Sequence, residues 1–211
     1  MLELNKLYLM DCMEGMKEFP DKYFDLAIVD PPYGIGAGDI KFKNGTSATE
    51  KPYFRDSDWD KKIPPPEYFT ELERVSDNQI IWGGNYFLDD LYSTRCYIIW
   101  DKTIHGNSYA DCELAWTSFD NVARIFPLNM VYVTKDGRIH PTQKPIQLYK
   151  WILRNYAKPD MKILDTHVGS ASSIIAFLDY GCEWIGFEID PDYHKAASKR
   201  IKIHQMQTKL F

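Results

Sequence analysis

Asp30-Pro31-Pro32-Tyr33-Gly34 follows directly on the apolar run Leu26–Val29. Two consecutive prolines fix the backbone and remove two N–H donors. What remains is a rigid turn displaying carbonyl oxygens, a carboxylate and an aromatic ring. Such a set accepts hydrogen bonds from an amino group and stacks on a flat ring; with no ligand it is only a stiff turn. A second stretch, Lys162–Asp190, reads as strand, small-residue turn, helix and strand. Its turn is Asp165-Thr166-His167-Val168-Gly169-Ser170-Ala171-Ser172, and Glu188 follows Asp165 by 23 residues. A turn of small residues lets the backbone approach a ligand and aims helix N–H groups at it. An acid roughly 20 residues onward suits the hydroxyls of a ribose. The unit suits an adenosine-bearing cofactor. It holds only Gly169 where nucleotide loops usually carry more glycine, and a plain strand–turn–helix has the same outline.

The elements that must position these residues follow a repeated pattern, a short apolar run ending in an acid. Leu7–Met10 stops at Asp11, Leu26–Val29 at Asp30, Ile98–Trp100 at Asp101, Ile163-Leu164 at Asp165, and Ile185–Phe187 at Glu188. Short apolar runs without alternation suit strands buried on both faces. Helical patterns lie between them at Glu67–Val75, Pro145–Asn155, Ser170–Tyr180 and Pro191 to about Met206. The expected fold is an open, mostly parallel α/β sheet with helices on both faces. Cys96–Trp100, Glu113–Thr117 and Arg124–Phe126 crowd together without helices and read as an antiparallel edge. Ligands bind such sheets beyond the carboxyl ends of the strands, so the five acids should gather along one rim. For any single acid, capping of the next helix explains it as well.

Composition narrows the class. The chain has 211 residues, 45% hydrophobic and 26% charged, which suits one folded domain over 1–211. No stretch approaches about 18 uncharged apolar residues, so no membrane span is expected. Glu3, Lys6, Asp11, Glu14, Lys17 and Glu18 speak against a secretory signal. Cys12, Cys96, Cys112 and Cys182 form no CxxC pair, which points to a reduced, cytoplasmic setting. The histidines have no metal-ligand spacing with cysteine or one another, and no metal is expected. A net charge of −5 gives no general attraction to nucleic acid, so such binding must come from local basic loops. Residues 34–66 and 120–139 are long enough to be functional loops.

At these residues the chain resembles the amino-methylating DNA methyltransferases that use S-adenosyl-L-methionine. Asp30-Pro31-Pro32-Tyr33 matches their DPPY motif, the form most often linked with N6-adenine. Asp165–Ser172 matches their DPFxGSGT cofactor motif, Ile185–Asp190 the acidic motif after it, and His140–Pro145 the segment before it. The catalytic motif precedes the cofactor motif, as in the circularly permuted β group with its Rossmann-like sheet. Thr166, His167, Ala171 and Ser172 depart from the pattern; His167 is similar to a flat packing substitute for the usual Phe.

The resemblance implies roles. Asp30, Pro31, Pro32 and Tyr33 are the expected catalytic residues: Asp30 and the Pro31 carbonyl accept the amino hydrogens, and Tyr33 stacks on a flipped base. Asp11, Cys12, Asp30, Thr142, Lys144, Asp165, His167, Gly169, Ser170, Ala171 and Glu188 are expected at the cofactor. Asp11 and the Cys12 N–H would meet its adenine, and Thr142 and Lys144 its methionine end; Lys144 reads equally as a solvated charge at a helix start. Lys41, Lys43, Arg55, Lys61, Lys62, Arg124, Lys135 and Arg138 are expected on double-stranded DNA, although acids dilute the first loop. A homodimer is admitted as a further partner. Gln207, Leu210 and Phe211 resemble the tail with which bacterial replication enzymes dock on the sliding clamp, as would suit a bacterial or phage-encoded protein. N4-cytosine methylation uses the same parts. An NAD(P)-dependent oxidoreductase and an inactive nucleic-acid-binding module are the readings of a different class.

Overall fold

The computed structural model describes residues 1–36, 60–106, 110–129, 139–140 and 142–208. Within them one sheet holds β1 (Lys6–Leu9), β2 (Phe24–Val29), β3 (Ser76–Trp82), β4 (Tyr97–Asp101), β5 (Cys112–Thr117), β6 (Arg124–Pro127), β7 (Lys162–Asp165) and β8 (Glu183–Glu188). The spatial order is β1-β8-β7-β2-β3-β5-β4-β6. The helices are α1 (Cys12–Met16), α2 (Pro66–Val75), α3 (Ile146–Tyr156), α4 (Ser172–Tyr180) and α5 (Pro191–Thr208). No helix among the described residues is long and apolar enough to cross a membrane.

The apolar runs are explained by burial on two faces. In β2, Leu26 and Ile28 enter a core with Leu148 and Ile152 of α3 and with Ile174 and Phe177 of α4. Ala27 and Val29, pointing the other way, pack with Met16 of α1 and with Tyr68 and Leu72 of α2. From Leu26 to Val29 alternate residues therefore serve opposite layers, and these four positions are all apolar. Each large apolar side chain buried in this way contributes roughly 1.5–3 kcal/mol.

Only one of the three strands expected as an antiparallel edge is reversed. The chain turns back between Asp101 and Cys112, so β5 pairs antiparallel with β4. It fills the slot between β4 and β3 and opposes β3 as well. β4 and β6 run in the common direction, and β6 is parallel to β4. The reversal makes β5 begin at the rim where the parallel strands end.

Helix boundaries follow local backbone chemistry. Pro66 occupies the first turn of α2, where its missing N–H costs nothing, and Tyr68, Phe69, Leu72 and Val75 form the buried stripe. α4 begins at Ser172, two residues later than expected, because Ala171 takes a left-handed φ of 62°. It ends at Gly181, whose φ of 82° lets its N–H reach the carbonyls of Phe177 and Leu178. Two elements were not anticipated. β3 is followed by Gly83 rather than an acid, and α1 is a single turn whose N-cap Asp11 accepts the Met13 N–H at 2.7 Å.

Candidate active site

Four of the five strand-end acids lie on adjacent strands, since β1, β8, β7 and β2 are consecutive in the sheet. Asp101 does not join them. It stands beyond β3 and β5, where its carboxylate accepts the Thr103 N–H at 2.7 Å and serves as a turn cap. Glu113, near the start of the reversed β5, brings its carboxylate to the site instead. A cleft of about 530 Å³, counted with its open mouth, lies along this rim. Asp30 and Pro32 line it from the β2 side, and His167, Gly169, Ser170 and Glu188 from the β7–β8 side.

On the β2 side the central group is a buried ammonium. Lys144 is 2% exposed. Its Nζ lies 2.5 Å from Asp30 Oδ2 and 3.2 Å from Glu113 Oε2, while Lys102 also reaches Glu113 at 2.9 Å. Burial would raise the Glu113 carboxyl, but Lys144 and Lys102 together hold it below its ordinary value. Asp30 goes the other way: burial lifts it, and its share of a single ammonium does not restore it. Burial would lower Lys144, yet the two carboxylates outweigh this and keep it protonated.

The Asp30–Tyr33 turn is tied down from several directions. The Tyr33 hydroxyl donates to Asp30 Oδ1 at 2.5 Å. Asp60 Oδ1 accepts the backbone N–H groups of Tyr33 at 2.6 Å and Gly34 at 3.0 Å. The Tyr33 ring stacks on Tyr86, with centroids 5.0 Å apart and planes 13° from parallel. One face of Tyr33 is thus covered by Tyr86, the more exposed member of the pair. Gly83, at a φ of 70°, passes so close that an added Cβ would overlap the Tyr33 ring.

On the β7 side the loop is organised around two carboxylates. Asp165 accepts the Ser173 hydroxyl at 2.5 Å and the His167 N–H at 3.0 Å. Burial dominates there and pushes its carboxyl up to about 7. Glu188 accepts the N–H groups of Gly169 at 2.8 Å and Asp190 at 2.9 Å. Arg200 Nη1 donates to the Ser170 carbonyl at 2.8 Å and holds the loop from behind. The His140 ring lies over Gly169, packs on Tyr193 with centroids 4.4 Å apart, and contacts Thr142 Oγ1 through Nδ1 at 3.1 Å.

Of the remaining expected residues, Thr142 and Lys144 line the cleft, with Lys144 bound into the Asp30 ion pair rather than solvated. Asp11 and Cys12 lie further along the rim, where Cys12 opens α1 and burial pushes its thiol up to about 12. Ala171 is fully buried and its methyl joins the core, so it is not a surface of the cleft. Pro31 is buried within the turn. Lys61 and Lys62 are exposed beside Asp60, next to the Tyr33 turn. Arg124 begins the outermost strand at the amino end of the sheet, away from the acid rim, and does not join the site. Lys41, Lys43, Arg55, Lys135, Arg138, Leu210 and Phe211 lie outside the described residues, and Gln207 is exposed in the last turn of α5. Among the described residues no group of three His, Cys, Asp or Glu is placed to hold a metal. Sequence reasoning missed Glu113, Asp60, Tyr86 and His140 as parts of the site; a marker existed for Glu113 only in the alternation of β5 and for His140 in its motif.

The comparisons with known proteins bear on the family and the fold. Residues 81–199 match the model of the N6/N4 DNA methylase family. That is more than half of the chain, and the chain belongs to this family of DNA methyltransferases. Membership sets aside the oxidoreductase reading. YubD of Escherichia coli strain K12 is 26% identical over 206 residues, 90% of this chain and 87% of its own. The type II methyltransferase M2.MboI of Moraxella bovis is 22% identical, covering 92% and 86%. Among solved structures, the M1.HpyAVI complex with S-adenosyl-L-methionine superimposes with a TM-score of 0.62 at 18% identity, covering 92% of this chain and 98% of that one. The cytosine-N4-specific PvuII DNA methyltransferase gives 0.61 at 14% identity, covering 92% and 85%. Both likenesses speak for the shared fold.

Proposed function

We propose that the chain moves a methyl group from S-adenosyl-L-methionine to the N6 amino group of an adenine flipped out of double-stranded DNA. The observation that carries this reading is that one cleft is lined by both Asp30 and the Gly169–Ser170 turn with Glu188. The donor set fits such a cofactor. Glu188 keeps lone pairs for ribose hydroxyls after accepting two N–H groups. Asp11 lies at the end of β1, suited to an adenine amino group, and Gly169, at a φ of 52°, presents no side chain to the cleft. When bound, this cofactor supplies an electrophilic methyl group on a sulfonium centre.

The protein's part is positioning. An adenine amino nitrogen is a poor nucleophile, because its lone pair is delocalised into the ring. It is also stacked inside the duplex and must be extruded. The Tyr33–Tyr86 pair offers an aromatic platform for the extruded base, with Tyr86 as the outer ring. Asp30 and the Pro31 carbonyl accept the two amino hydrogens, which localises the lone pair and fixes its direction. Both oxygens of Asp30 already accept a hydrogen bond, and each has a further lone pair for this purpose. The amine becomes strongly acidic once alkylated, and Asp30 takes its proton. The upward displacement of the Asp30 pKa makes it a better acceptor for this step. Asp30→Ala is expected to reduce turnover by about 100-fold or more while calorimetry still detects cofactor binding. Normal turnover by that variant overturns the role.

The aspartate that opens the Asp30–Tyr33 motif favours adenine over cytosine, and the likeness to an N4-specific enzyme keeps the second base as the alternative. Mass spectrometry of nucleosides from DNA of a host expressing the chain decides: N6-methyladenine is expected, and N4-methylcytosine alone overturns the choice of base.

A further inference from the structure

Three groups beside the cleft form a hydrogen-bonded line that the transfer mechanism does not use. The Tyr68 hydroxyl lies 2.7 Å from Thr166 Oγ1, and Thr166 Oγ1 lies 2.9 Å from His167 Nδ1. Tyr68 and Thr166 are 1% and 2% exposed. Among the described residues neither hydroxyl has another partner. The His167 ring packs on Tyr68, with centroids 5.6 Å apart and planes at 66°, and forms part of the cleft wall.

The line has three protons to place and two bonds to make. If His167 donated from Nδ1, either the Tyr68 or the Thr166 proton would be buried with no acceptor. A buried donor left unmet carries its full desolvation cost. One arrangement avoids this: Tyr68 donates to Thr166, and Thr166 donates to Nδ1. The single proton of the neutral imidazole is then on Nε2. Burial keeps the ring neutral near physiological pH, since it pulls the imidazolium down to about 4.

We propose that His167 Nε2–H is a donor of fixed tautomer in the cleft wall, and that it binds a lone pair on the adenosyl part of the cofactor. The ligand half of this inference rests on the methyltransferase reading; the tautomer does not. The adenosyl end follows from position, because His167 lines the cleft together with Glu188 and lies within reach of the charge of Asp11. An unconstrained imidazole adapts to a donor or an acceptor; this one rejects any ligand that presents a donor at that point. The two departures from the family motif at 166 and 167 thereby become one device. A proline at 166 has no hydroxyl to relay, and a phenylalanine at 167 has no proton to offer.

The test is long-range proton–nitrogen NMR on the full chain labelled with ¹⁵N-histidine, with S-adenosyl-L-homocysteine as the probe. Before the probe is added, His167 is expected to show a bare Nδ1 and a protonated Nε2. On addition, the Nε2 proton is expected to move downfield. His167→Phe keeps a flat ring but no donor, and is expected to bind the probe about tenfold more weakly; Thr166→Val, which frees the tautomer, is expected to show a mixed nitrogen pattern. A protonated Nδ1 in the free protein overturns the relay. An Nε2 proton that does not move while the probe binds overturns the contact. Failure of the wild-type chain to bind the probe sinks the cofactor reading and the contact with it, while the nitrogen shifts still decide the tautomer. Should either variant fail to fold, the wild-type spectra decide alone.

Discussion

A lysine cut off from water must be paired. Lys144 is buried and holds two carboxylates, so its removal leaves both Asp30 and Glu113 with less compensation. Lys144→Met is expected to cost about 3–5 kcal/mol in chemical denaturation. Adding Glu113→Gln should recover part of this, because one buried charge is then gone, and a double-mutant cycle measures the coupling. Asp165 makes a prediction of opposite sign. Its folded-state pKa of about 7 lies above the ordinary 3.8. The folded state therefore binds the proton more tightly than the unfolded chain. The associated stability is fully present below about pH 4 and is lost as the pH rises through about 7. Asp165→Asn should remove that loss. Above pH 7 the free variant is expected to exceed the wild type by up to about 4 kcal/mol, and the difference should shrink towards pH 4 in urea titrations. The same substitution should weaken cofactor binding, the familiar conflict between a stable chain and a working site.

At the scale of elements, β3 and the turn after it form the support of the Asp30–Tyr33 turn. Gly83 is left-handed and backs directly onto Tyr33. Gly83→Ala should cost at least about 1–2 kcal/mol for the backbone conformation alone. It should also push Tyr33 off Asp30, so that kcat falls more than KM rises. This support was hidden in the sequence for a physical reason. The rule that located β2, β7 and β8 was an apolar run closed by an acid, and Ile80-Ile81-Trp82 closes on glycine. Glu113 escaped for the complementary reason: on a reversed strand the rim residue comes at the start. By contrast, the two-faced burial of β2 and the helical stripe of α2 were legible, because periodicity and burial are the same fact seen twice. Tertiary pairing between Lys144 and Asp30, 114 residues apart, leaves no such local trace.

The molecule as a whole is acidic, with a net charge of −5, and must bind a polyanion through local positive charge. Lys61 and Lys62 flank the Tyr33 turn on the exposed side. Each phosphate that a lysine neutralises adds about 0.9 to the slope of log affinity against log salt. Lys61→Ala with Lys62→Ala should lower that slope by about 2 in fluorescence anisotropy on a duplex, while cofactor binding is unchanged. An unaltered slope places the phosphate contacts elsewhere.

The Lys144 ammonium also stands over the Trp82 ring, 5.1 Å from its centroid, in the fully buried end of β3. An indole changes its electron distribution on excitation, so a nearby fixed charge tunes the colour of its emission. The protein thus carries a built-in optical gauge of the charge balance among Lys144, Asp30 and Glu113. The part of its fluorescence that disappears in Trp82→Phe is the part that reports whether that cation has moved, lost its proton or met a substrate.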